Sequence, residues 1–157
     1  MKRIAIALFV LVLSAAVSSL GFAAASHTFK SMLSGREDVP AMKTAARGSG
    51  MFKLAKDGSG LVYTLEVKGI KGVTAAHIHK GMKGENGGPV ATLYAGPEKQ
   101  GTYSGVLAKG AIKDKDLVGA LAGKTIGDLV KMIESGDAYV NVHTEKHPDG
   151  EIRGQIK

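Results

Sequence analysis

The feature that most restricts this chain is alternation: short runs of apolar and polar residues in turn, punctuated by glycine. Leu61, Tyr63, Leu65 and Val67 fall on one side of a two-residue period, and Thr64, Glu66 and Lys68 on the other. That is the period of a half-buried antiparallel strand. Before it, Lys56-Asp57-Gly58-Ser59-Gly60 separates a run at 50–54 from the run at 61–67, and an Asp-Gly step between such runs signals a hairpin. Further strands are expected at 29–33, 75–80, 90–94, 101–108, 138–144 and 151–156.

One segment keeps a different period. Thr125 is placed to cap a helix with Asp128 three residues on, Ile126, Leu129, Val130 and Ile133 share a helical face, and Gly136 stands at the C′ position. A shorter helical turn is expected within 114–121. The whole predicts an all-β domain with minor α content: an antiparallel β-sandwich or immunoglobulin-like barrel of about eight strands, with one or two short helices in a connection.

The first 25 residues have a separate logic. Lys2 and Arg3 precede an apolar stretch from Ile4 to Val17, and Ala23-Ala24-Ala25 forms an A-x-A site before Ser26. This is the pattern of a cleaved signal peptide, too short in its apolar part for a spanning helix. The expected organisation is therefore a signal peptide at 1–25 and one domain at 26–157, secreted or periplasmic, with no membrane span after cleavage.

The chain has no cysteine, which excludes disulfides, thiolate metal sites and cysteine nucleophiles. Taking Lys2 and Arg3 from the 21 basic residues leaves 19 against 14 acidic, a net charge of +5. The lysines are scattered and not interleaved with aromatics, so nucleic-acid binding is not expected. Neither a G-x-S-x-G elbow nor a phosphate-binding glycine loop between strand and helix is present. The glycine-rich run from Gly81 to Gly88 leads into a strand and reads as a flexible loop. Glu37-Asp38 has no visible partner and is expected in a solvated turn.

Four of the five histidines fall in two short segments. On a strand at 75–80, His77 and His79 project from one face while Ile78 points into the core. Two imidazoles so placed can share a transition metal. On a strand at 138–144, Val140 and Val142 take the buried face and leave Tyr139, Asn141 and His143 on the other. His147 follows in a Pro-Asp-Gly turn. The last strand buries Ile152 and Ile156 and sends Glu151, Arg153 and Gln155 to the polar face. If these strands are neighbours, His77, His79, His143 and His147 become candidate ligands for copper or zinc. Asn141 and Glu151 are then candidates to orient the imidazoles, and Arg153 to attract an anion.

The blocks Ala76-His77-Ile78-His79-Lys80-Gly81, Asn86-Gly87-Gly88-Pro89-Val90, Tyr139-Val140-Asn141-Val142-His143-Thr144 and Gly150-Glu151-Ile152-Arg153-Gly154-Gln155-Ile156 together resemble the chordin-type CHRD domain. Leu33-Ser34-Gly35-Arg36-Glu37-Asp38-Val39-Pro40 fits the same family, so the likeness spans about 28–157. It implies a single exported all-β domain. In chordin, an extracellular antagonist of growth factors, such domains are repeated beside cysteine-rich modules that this chain lacks.

A looser likeness is to copper–zinc superoxide dismutase, which also carries an H-x-H pair on a β-strand, a later ligand histidine and an arginine near its C-terminus. This chain has no cysteines and no His/Asp-rich zinc loop. Three functions follow as expectations: a metal-holding binding module, a copper-only dismutase-like oxidoreductase, or an envelope domain that binds another extracytoplasmic protein without metal.

Overall fold

The computed structural model describes residues 27–157; the expected signal peptide lies outside them. Among these residues seven strands are formed, β1 (Thr28–Ser34), β2 (Arg47–Leu54), β3 (Leu61–Lys80), β4 (Pro89–Tyr94), β5 (Lys99–Ile112), β6 (Ala138–Thr144) and β7 (Ile152–Gln155), with one α-helix, α1 (Ile126–Glu134). All pairings are antiparallel. β1 pairs β2, β2 pairs β3, β3 pairs β6, β6 pairs β7, and β7 returns to β1. Five strands thus close into a barrel, and β4 and β5 lie outside it on β3. Closure removes the free edges that an open sheet would leave on these five strands.

The count differs from about eight because the expected strands at 61–67 and 75–80 are one. Between them Gly69 and Gly72 adopt φ of +67° and +65°, a region closed to most side chains. These glycines bend the strand rather than reverse it: the register against β5 slips between Val67 and Ile70 and again between Lys71 and Val73. Ile70 and Val73 remain fully buried through the bend. One long strand therefore serves two neighbours. β2 pairs its first half, Leu61 to Lys68, and β6 its second, Val73 to Lys80.

The hairpin between β2 and β3 closes at Leu54 opposite Leu61, with the Ser59 amide donating to Asp57 at 3.0 Å. In α1, Thr125 accepts from the Asp128 amide and the Asp128 carboxylate accepts from the Thr125 amide. Such a cap is worth about 1 kcal/mol. The helix ends with the Gly136 amide on the Ile133 carbonyl and the Asp137 amide on the Met132 carbonyl, a Schellman pair. Ile126, Leu129, Val130 and Ile133 join the core with Phe52, Leu65, Ile78, Val140, Val142 and Ile152. The segment 114–121 forms two 3₁₀ turns, Asp114–Asp116 and Gly119–Leu121. No helix among the described residues is long and apolar enough to cross a membrane.

A second difference bears on the site. Alternation correctly separates Val140 and Val142 from Tyr139, Asn141 and His143, but the second set is not solvated. Every residue of β6 is buried. The outer face of β6 is roofed by connections, and that roof makes the site.

Candidate metal centre

Register alone brings the imidazoles together. Across β3, β6 and β7, His77 faces Asn141, which faces Arg153; His79 faces Tyr139, which faces Gln155; His143 faces Ala75. His143 is therefore one step diagonal from His77 on the same face, where side chains on paired strands are neighbours. Ring centroids lie 5.0 Å apart for His77–His143, 5.5 Å for His79–His143 and 5.7 Å for His77–His79. Each ring offers a nitrogen, and the three nitrogens lie within 4.8 Å of one another. Nitrogens bound to one tetrahedral metal stand about 3.3 Å apart, so modest ring movement closes the set.

Two imidazoles are held by main-chain carbonyls. His79 Nδ1 meets the Gly87 carbonyl and His143 Nδ1 the Pro148 carbonyl, each at 2.9 Å. A carbonyl only accepts, so both rings carry their proton on Nδ1 and keep a lone pair on Nε2. Both Nε2 atoms are buried with no partner, as is Nδ1 of His77. His79 and His143 expose 9% and 8% of their surface, and His77 rather more. Burial pushes all three pKa values down. For His77, helped by repulsion from His143 and His79, the value falls to about 4. The rings are neutral at neutral pH, the form a metal needs.

The other expected participants are placed differently. His147 is not one of the three; it lines a separate cleft of about 680 Å³ with Lys43, Thr44, Glu145 and Glu151. Glu151 accepts from Thr44 and Thr144 hydroxyls at 2.7 and 2.9 Å and orients no imidazole. Asn141 donates to the Asp149 carbonyl at 3.3 Å, leaving its Oδ1 buried and unpartnered. Orientation of the rings falls to the connections rather than to side chains.

Arg153 is 1% exposed and so has no free guanidinium to offer an incoming anion. Its Nη1 donates to Asn86 Oδ1 at 3.1 Å and its Nη2 to the Met82 carbonyl at 2.9 Å, and the group sits 3.5 Å over the Tyr139 ring. Gly87 donates to the Tyr139 hydroxyl at 3.2 Å, and Gln155 to the Gly81 carbonyl at 2.8 Å. The run from Gly81 to Gly88 rims the histidines and, unlike the flexible loop expected, is pinned at several points. It presents the Gly87 carbonyl to His79.

Asp38 is the residue that sequence reasoning missed. It is only 7% exposed, whereas Glu37 beside it pairs at the surface with Lys83 at 3.3 Å. Asp38 Oδ1 accepts from the Val39 amide at 2.8 Å, and Oδ2 is buried with no partner. Burial raises its pKa, opposed by that amide and by the charge of Arg153. The signal available in the sequence was the block from Leu33 to Pro40, which carried the resemblance without a role for Asp38.

Among the described residues, the buried side-chain nitrogens and oxygens without a partner belong to Asp38, His77, His79, Asn141 and His143 alone. Each such atom costs about 1–3 kcal/mol if it stays unpaired. They are gathered at one site rather than scattered, where a single bound species could pair several of them at once.

Comparison with curated proteins and with solved structures returns no match. Comparison with protein families matches residues 29–156, which include every residue of the site, to the CHRD domain. The chain belongs to the CHRD domain family.

Proposed function

We propose that this CHRD domain is an exported binding module that holds one copper or zinc ion through His77, His79 and His143. The observation that carries the proposal is the set of three buried, unpartnered imidazole nitrogens within 4.8 Å. Imidazole suits both metals, and neutral rings bind without first losing a proton. Holding two of the rings by hydrogen bonds lowers the ordering cost of coordination. The opening at 1–25 supports export, and a cysteine-free chain keeps this donor set unaltered in an oxidising compartment.

Titration of metal-free protein with copper(II) and zinc(II) tests the proposal. One equivalent should bind to wild type and none to a His77→Ala/His79→Ala variant of unchanged far-ultraviolet spectrum. Equally tight binding by that variant removes the site from consideration. Assaying the copper-loaded protein for superoxide loss separates holding a metal from turning it over.

A further inference from the structure

The atoms without partners fall into two chemical kinds. His77 Nδ1, His79 Nε2 and His143 Nε2 offer lone pairs to a metal. Asp38 Oδ2 and Asn141 Oδ1 are oxygens, also without a partner, and Asp38 is not in the group whose ligand atoms lie within 4.8 Å. Three imidazoles leave a fourth position open on a tetrahedral ion, and a water there has two hydrogens to donate. Asp38 Oδ2 and Asn141 Oδ1 are the two buried acceptors that lack a donor.

We propose that Asp38 and Asn141 hold a water bound to the metal, with Asp38 Oδ2 and Asn141 Oδ1 each accepting one of its hydrogens. This rests on the metal proposed for the three histidines. One ion and one water then satisfy all five unpartnered atoms. Both acceptors are fixed before anything binds. The Val39 amide holds Asp38 Oδ1, and the Val39 carbonyl accepts from Asn86 Nδ2 at 2.7 Å. Asn86 also meets Arg153, and its neighbour Gly87 holds His79, so Asp38 is pinned to the same loop as a ligand. Asn141 stands directly across from His77, and its Nδ2 is engaged by the Asp149 carbonyl, which leaves Oδ1 as its free acceptor. A carboxylate beside the open position also repels anions that would replace the water.

The test compares wild type, Asp38→Asn, Asn141→Ala and, as a surface control, Glu37→Gln. Copper(II) affinity is measured by competition with a chelator, and azide binding to the copper form by its charge-transfer absorption. Asp38→Asn and Asn141→Ala should keep one site per chain and lose about 10–100-fold in copper affinity. Asp38→Asn should also take up azide more tightly than wild type, and Glu37→Gln should match wild type in both. Asp38→Ser serves the same purpose if Asp38→Asn melts early.

Wild-type values in the Asp38 and Asn141 variants overturn the water-holding role while leaving the histidine site standing. Complete loss of copper in Asp38→Asn makes Asp38 a direct ligand and likewise overturns it. Absence of binding by wild type ends both proposals.

Discussion

The two faces of β3, β6 and β7 are built on the same backbone and are buried almost equally, yet they are not alike. The inner face carries Ile78, Val140, Val142 and Ile152, all fully buried in the apolar core. The outer face carries His77, His79, Asn141, His143 and Arg153, roofed by connecting segments. An apolar atom in the core is satisfied by contact alone. A polar atom taken out of water needs a partner, and on the outer face several have none. The inner face stabilises the barrel by packing alone, whereas on the outer face the contacts of Arg153 add stability and the unpaired atoms subtract from it.

The largest expected effect lies inside. Ile78→Ala should cost about 2–5 kcal/mol in urea unfolding, because a packed core relaxes only partly around a deleted side chain. A cost below about 1 kcal/mol would mean that the inner face is not the structural one. Arg153→Ala comes next, at about 2–3 kcal/mol. It strands the Asn86 and Met82 oxygens and removes the cation above Tyr139. This variant should also expose residues 81–88 to proteolysis, an effect that Ile78→Ala measured at equal stability should not share.

Gly150→Ala should follow, at roughly 1–3 kcal/mol. A Cβ there would lie 2.2 Å from Asn141 Nδ2, on a residue whose φ is +137°. Asn141 must then move, so this variant should weaken copper binding as well as stability. Unchanged copper affinity would separate Asn141 from the site.

How much of this was legible in the sequence follows from the range of each signal. The cap of Thr125 on Asp128, the hairpin at Asp57-Gly58 and the shared face of His77 and His79 are set by neighbours one to four residues away. All are recovered as expected. Gly69 and Gly72 mislead because positive φ serves a bend within a strand as well as a turn between two. For Arg153, alternation tells which face a side chain takes but not what covers that face. Asp38 is the extreme case. It is tied to the site through its neighbour Val39, whose carbonyl accepts from Asn86 47 residues on, and no local period encodes such a contact.

The smallest expected change is the most discriminating. His77→Ala removes a buried nitrogen that nothing pairs but also the packing of its ring, and because the two offset, metal-free stability at neutral pH should change by less than about 1 kcal/mol. Its mark is in the pH dependence. The unfolded imidazole takes a proton near pH 6.5, while folded His77 does so only near pH 4. Within that window the unfolded chain binds more protons, so stability falls as pH falls from 6.5 towards 4. His79 and His143 act in the same direction. Removing His77 should make this decline shallower in urea unfolding of metal-free protein, whereas Ile78→Ala should shift the whole curve down without changing its slope. Equal slopes in the two variants would show that the outer face carries no proton-linked cost, and the contrast between the faces would fail.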